Sequence, residues 1–247
     1  MAELLLTIER IPSEELADVK RVEVPHTNDA VYCLSADGRR WIRKREENMG
    51  WQELYAEAIG HLLARRLEIP VPNAAVCLND EHRSWLSECV PDVAHWHHSR
   101  VPFITNLESL GSMLTLDAII GNSDRHARNI LLQPSPDEQH LKIWLIDMGS
   151  SLIAHADDYI QIGLEPPSSD NHARGIPLDL DAVQEGLTNT ALAAGRITAQ
   201  EIKNIISYSS QIVKEGYSEQ LAMALYARCQ KAKQIADIYA NTIRGRQ

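Results

Sequence analysis

The chain has 247 residues, 44% hydrophobic and 23% charged, the balance of a soluble globular protein large enough to bury a core. Its net charge of −10 argues against nucleic acid by itself, whose phosphates are bound by neutralising Lys and Arg, and against standing attachment to an anionic membrane. Cys33, Cys77, Cys89 and Cys229 show no Cys-x-x-Cys spacing, no apolar run reaches membrane-spanning length, and the Met1–Glu9 start carries acid too early for a signal peptide, so a reduced, cytoplasmic setting without stable membrane insertion is expected.

In chain order, Val31–Leu34 and Arg40–Lys44 flank Ala36-Asp-Gly38, and an Asp-Gly pair between two β-prone runs predicts a hairpin. A period of two places Ile42 on the face of Lys44 and turns Arg43 and Arg45 away, which favours Lys44 over Arg43 as an inward cation. From Gln52 to Leu67 the positions Leu54, Ala58, Leu62 and Leu63 recur at helical spacing, with Glu53 and Glu57 one turn apart on a shared face. Pro70 and Pro72 prevent the helix from continuing and favour extended chain through Val76 and Leu78. Ser84–Val90 reads as a strand stopped by Pro91. Thr105-Asn-Leu-Glu108 has the pattern of a capping box and opens a helix running to Gly121. A second box, Thr198-Ala-Gln-Glu201, opens another helix, and a final one is expected from Ser218 to Ile243.

Between these helices lies Asn122-Ser-Asp124-Arg125-His126-Ala-Arg-Asn129, followed by Ile130–Gln133, a Pro/Ser/Asp turn, Leu141–Ile146 and Asp147-Met-Gly149. Two β-like runs about a turn predict a hairpin that brings Asn129 close to Asp147. Two converging oxygen ligands suit Mg²⁺, which takes few protein ligands and completes its shell with water and phosphate. An Asp-x4-Asn pair alone arises in roughly half of chains this long from composition, so the hairpin context carries the weight. In phosphotransferases this order places a hydroxyl-orienting Asp, an Asn ligand and a second Asp ligand around Mg²⁺ and ATP. His126 either takes a substrate proton or holds the loop, and the standard spacing of Asp124 favours the holding role. His95-Trp-His97-His98 lacks a matching Cys or carboxylate cluster and reads as a polar loop rather than a metal site.

The pattern Asn-x-Asp-Arg-His-x-x-Asn (122–129) with Ile-Asp-x-Gly (146–149) resembles the HipA-like kinases and the related phosphatidylinositol 3- and 4-kinases, where Asp-Arg-His replaces His-Arg-Asp. Trp41–Lys44 and the stretch from Glu57 through Leu67 to Pro72 extend the likeness and favour Glu57 over Glu53. The resemblance covers roughly residues 20–155. It implies an α+β, two-lobed protein-kinase-like fold, with a strand-rich lobe over 1–90 and a mainly helical lobe over 91–247. By the same resemblance Asp124 is the base or hydroxyl-orienting residue, Asn129 and Asp147 hold Mg²⁺, and Lys44, paired with Glu57, contacts the ATP phosphates; His126 stays a second catalytic candidate by its position beside Asp124. Ile42 covers the adenine, and the strand carrying Glu88 and Val90 leads into its hinge.

There are departures from the pattern. No Gly-x-Gly-x-x-Gly loop precedes the first hairpin, leaving Thr27 and Asn28 to approach the phosphates, and no Ala-Pro-Glu follows Gly149. In extent the chain resembles compact, kinase-only members of the family. A protein Ser/Thr acceptor is expected, together with an antitoxin-like or regulatory partner. The competing readings are a phosphoinositide or small-molecule kinase, and a pseudokinase that acts as a binding module.

Overall fold

A computed structural model describes residues 7–21, 30–78, 83–137, 139–214 and 218–245. Thr27 and Asn28 lie outside the described residues.

The Asp37-Gly38 turn closes the expected hairpin between β3 (Val31–Ser35) and β4 (Arg40–Arg45), with Leu34 opposite Arg40 and Val31 opposite Arg43. These strands join β1 (Glu9–Arg10), β2 (Leu16–Arg21), β5 (Ala74–Leu78) and β6 (Arg83–Glu88) in a six-stranded sheet of order β1-β5-β6-β4-β3-β2. Its strands pair antiparallel except for β1 on β5. Alternation along β4 divides its side chains between two faces. Trp41 is fully buried in a small cluster with Ile11, Cys33, Ala75, Cys77 and Leu86. Lys44 takes the other face, which is covered by the long helix α1 (Glu46–Arg66). The helical run proper begins after Gly50, whose backbone is non-helical, close to the expected start at Gln52. Leu54, Ala58, Ile59, Leu62 and Leu63 are its buried stripe, each larger side chain contributing roughly 1.5–3 kcal/mol by leaving water.

From residue 94 the chain builds a second, three-stranded sheet of order β7 (Ala94–His95), β8 (Ile130–Pro134), β9 (Leu141–Leu145). Ile130 pairs with Leu145 and Pro134 with Leu141, the hairpin expected between Asn129 and Asp147. Five longer helices follow or flank it: α2 (Glu108–Ile120), α4 (Asp181–Ala194), α5 (Ala199–Val213), α6 (Glu219–Gln230) and α7 (Ala232–Arg244), with the short α3 (Ala156–Gln161) between them. α2 is apolar around nearly its whole circumference and accordingly lies at the centre, packed by α4 and α7. Gly111 permits the close crossing with α4, since a Cβ there would stand 1.9 Å from the Val183 carbonyl oxygen. Asp157, Asp158 and Asp181 fall in first turns of helices, where acids complement the helix dipole. The architecture is mixed α+β, a strand-rich sheet followed by a helical part.

Two expectations are corrected. The Thr105–Glu108 capping box does not form: Thr105 Oγ1 donates to the Leu141 carbonyl, and Asn106 pairs with both backbone groups of Ile143, so the segment is tied to β9 before α2 begins. The Thr198–Glu201 box does form, with both reciprocal bonds present. The single helix expected over Ser218–Ile243 is divided at Lys231 into α6 and α7, because α6 packs on α5 and α3 whereas α7 must turn to reach α2 and α4. No Gly or Pro marks this bend.

Candidate active site

Lys44 is the centre of the site. Its Nζ donates to Glu57 Oε1 at 2.8 Å and to Asp147 Oδ1 at 2.8 Å, joining β4, α1 and the segment after β9. Arg43, on the opposite face, instead reaches Ser84 and Asp18. Glu57 Oε2 accepts the Met148 backbone N–H at 3.0 Å, so one glutamate fixes both the cation and the chain beside Asp147. Gly60 makes this approach possible: a Cβ at that position would lie 2.6 Å from Met148 Cβ. Glu53 is the near neighbour of Gly149 rather than the partner of Lys44.

The three charged groups are almost out of solvent, with side-chain exposures of 12% for Lys44, 3% for Glu57 and 20% for Asp147. Burial opposes the charged ammonium, but Asp147 and Glu57 outweigh it and hold Lys44 above the usual lysine range. Burial pushes the Glu57 carboxyl upward, beyond the opposing pull of Lys44. Asp147 is less enclosed; burial again opposes ionisation, and Lys44, with Arg125 and His126 beyond it, brings its carboxyl below the ordinary aspartate value. Asp147 also has φ of 64°, a left-handed conformation that Asp and Asn adopt more readily than other side-chain-bearing residues.

The loop before β8 is built around Arg125, a residue that spacing alone does not single out. Its guanidinium is fully buried and grips Asp117 of α2 through Nε at 3.0 Å and Nη2 at 2.9 Å, while Nη1 donates to the carbonyls of Asn129 and Ile146. It thus ties together the residue before β8 and the residue before Asp147. Asn122 adds a bond to Asp117 Oδ1 at 2.9 Å and accepts the Asp124 backbone N–H at 3.0 Å. A detectable signal for this clamp exists in the sequence: Asp117 is the one charged residue in the otherwise apolar last turns of α2, and buried acids are paired.

Lys44, Asn129 and Asp147 face a cavity of about 360 Å³, within the roughly 300–1,000 Å³ range of small-molecule sites. Ile42, Glu88, Val90 and His126 line it as well. The Val90 N–H has no acceptor among the described residues, a free donor where chain leaves β6. Asn129 Nδ2 donates to the Asp124 carbonyl at 3.1 Å, leaving its Oδ1 without a protein donor among the described residues. Asp147 Oδ2 is likewise uncommitted. These two oxygens fit a hard cation that keeps water and phosphate ligands, and no group of three or more His, Cys, Asp or Glu able to hold a metal occurs among the described residues.

Asp124 stands apart from this cavity wall. Its Oδ1 accepts from Asn171 Nδ2 at 3.1 Å, an interaction arriving from 47 residues downstream that sequence spacing cannot reveal. His126 Nδ1 is buried without a partner, so the holding bond expected of its ring is not made through that atom. His95 belongs to β7, and His97 and His98 border a neighbouring hollow.

The fold is kinase-like. It superposes on the crystal structure of the proinflammatory kinase CtkA from Helicobacter pylori with a TM-score of 0.55, at 14% identity, over 93% of this chain and 99% of that one. No family model matches the sequence, and no curated protein matches it significantly. Among the described residues, no helix is long and apolar enough to cross a membrane.

Proposed function

We propose that this protein is an ATP- and Mg²⁺-dependent kinase of the two-lobed, HipA-like kind, with residues 1–90 as the nucleotide lobe and 91–247 as the catalytic lobe, acting on protein Ser/Thr hydroxyls. The observation that carries this reading is the convergence of Lys44, Asp147 and Asn129 at the wall of one cavity that Ile42, Glu88 and Val90 also line, with Glu57 holding Lys44 from behind.

In this reading Ile42 covers the adenine and the free Val90 N–H meets its edge. Lys44, held by Glu57, neutralises phosphate charge in a site largely shielded from water, where an oriented cation is worth most. Asn129 and Asp147 would hold Mg²⁺, which when bound neutralises the β- and γ-phosphate oxygens. Asp124 aligns the acceptor hydroxyl. Asn171 occupies its Oδ1, and the other carboxylate oxygen receives the hydroxyl proton as the new O–P bond forms and the bond to the leaving diphosphate oxygen breaks. The acidic net charge of the chain favours a polypeptide over an anionic lipid surface.

The test is incorporation of labelled phosphate from ATP into the protein and into a Ser-containing acceptor, with wild type beside Asp124→Ala. Expected are magnesium-dependent labelling by wild type and its loss in the variant. Labelling of phosphoinositide vesicles alone would make the protein a lipid kinase. An Mg-ATP-induced rise in melting temperature with no labelling would make it a binding module.

A further inference from the structure

A second hollow, of about 420 Å³, adjoins the first at His126. One wall is Trp96–His98, the other is Asn171–Arg174, and His126 is shared between this hollow and the first cavity. Asn171 is also the residue that touches the Asp124 carboxylate, so the hollow opens where an acceptor would continue past its hydroxyl.

The composition of its walls is unusual for this chain. In a protein of net charge −10, the lining contains four imidazoles and one guanidinium and no carboxylate. The Arg174 side chain is exposed and has no partner among the described residues. Its backbone is fixed, because its carbonyl accepts from Trp96 Nε1 at 3.0 Å and the adjacent Ala173 N–H donates to the Arg125 carbonyl. His97 Nδ1 is engaged by Ser99, through its hydroxyl at 2.7 Å and its N–H at 3.3 Å, which directs the remaining ring N–H of His97 elsewhere. His98 lies against His97 with ring centroids 4.3 Å apart, backed by Gly175. His172 is 8% exposed, and its Nε2 lacks a partner. The backbone of the segment is anchored to the loop that carries Asp124, while the Arg174 guanidinium is left without a partner among the described residues.

We propose that this hollow is an acceptor subsite that reads an acidic side chain, Asp or Glu, close in sequence to the Ser or Thr presented to Asp124. Arg174 supplies the planar fork that matches a carboxylate, and His97 and His98 supply single N–H donors beside it. One guanidinium among neutral-capable imidazoles suits a singly charged carboxylate. A multiply phosphorylated headgroup is ordinarily met by clusters of Lys and Arg, which this hollow lacks. The inference rests on the kinase reading for its catalytic context, but the binding it describes is measurable without catalysis.

Two peptides differ only in carrying Glu or Lys on either side of one Ser, and each bears a fluorophore. Anisotropy with the intact protein is expected to show tighter binding of the Glu peptide, by about tenfold or more, with Arg174→Glu removing the preference. In steady-state assays the same variant, and His97→Ala more weakly, raise KM for the Glu peptide far more than they lower kcat. The Mg-ATP-induced melting shift of Arg174→Glu matches wild type. Equal binding of the two peptides, or a Glu-peptide affinity indifferent to Arg174→Glu, overturns the subsite. Labelling of phosphatidylinositol-phosphate vesicles but of neither peptide also overturns it, in favour of a headgroup. Selective Glu-peptide binding without phosphoryl transfer upholds the subsite and fails the kinase reading instead.

Discussion

Replacing Arg125 by Met tests whether the loop between α2 and β8 is held by a buried ion pair. The guanidinium and Asp117 are both completely buried, and Met keeps most of the side-chain volume while deleting the charge and the donors. Removing one partner strands the other, which costs about 3–5 kcal/mol in comparable buried pairs. The Ile146 carbonyl also loses its Arg125 donor, adding roughly 1–3 kcal/mol; the Asn129 carbonyl keeps the Ile146 N–H at 3.2 Å. Against a typical domain stability of about 5–15 kcal/mol, Arg125→Met should leave the protein marginal. Urea denaturation by circular dichroism measures the loss, and Asp117→Leu with the double variant completes a cycle. The double variant should recover about 2–3 kcal/mol relative to additivity, because neither charge is then stranded. A loss below about 1 kcal/mol for Arg125→Met, or strict additivity, would refute the clamp.

Four further outcomes are expected. Asp147→Asn keeps a residue tolerant of the left-handed backbone and should fold like wild type yet lose the Mg-ATP-induced melting shift, whereas Asp147→Ala should also lose about 1 kcal/mol in denaturation. Gly60→Ala forces a Cβ against Met148 and should cost about 1–3 kcal/mol while weakening ATP binding in calorimetry; unchanged affinity would dissociate α1 from the placement of Asp147. Burial, aided by Arg65, pushes His61 down to about 4, so the folded state disfavours its proton. Its neutral form stabilises the fold above the unfolded value near 6.5, and that contribution drains as pH falls toward 4, by about 2 kcal/mol at pH 5. Denaturation at pH 7.5 and 5 should therefore differ less in His61→Gln than in wild type. Thr198→Ala should cost about 1 kcal/mol and Thr105→Ala only a few tenths, since only the former caps a helix.

Local signals located what depends on neighbours in sequence. The Asp-Gly turn, the strand period that turns Lys44 to the α1 face, and the hairpin between Asn129 and Asp147 all follow from side-chain alternation and turn chemistry. Where two structures were compatible with one pattern, tertiary context decided. Thr105–Glu108 has the letters of a capping box, but β9 offers Asn106 two backbone partners and takes the segment. The turn at Lys231 is set by which helices α6 and α7 must each cover, and nothing local encodes that. Long-range polar contacts were the least legible. Asn171 reaches Asp124 from the irregular stretch between α3 and α4, and no periodicity links them.

Two buried arginines explain why the loop between α2 and β8 keeps its shape without regular secondary structure. α2 ends at Ile120 with Gly121 as its cap, and the final carbonyls of a helix have no intrahelical donors. Arg228, reaching in from α6, donates to the carbonyls of Ala118 and Ile119 and to Gly163, and Tyr159 adds its hydroxyl to Ile119 at 2.6 Å. A cation at a helix C-terminus is favourable there, and burial without a carboxylate lowers its proton affinity rather than providing an ion pair. Arg125 performs the matching task one step later, on the carbonyls that precede β8 and Asp147. One arginine fixes where the loop leaves the helix, and the other fixes where it returns to the sheet. Asp124 and Asn129 lie in the stretch between those anchors, so their positions are set without a ligand, which is what the proposed kinase reading requires for positioning a hydroxyl and a cation at little entropic cost. The two arginines should therefore separate in experiment. Arg228→Met should lower stability with little change in Mg-ATP affinity of the folded fraction, whereas Arg125→Lys, which keeps the charge but loses the fork, should weaken that affinity more than it lowers the melting temperature.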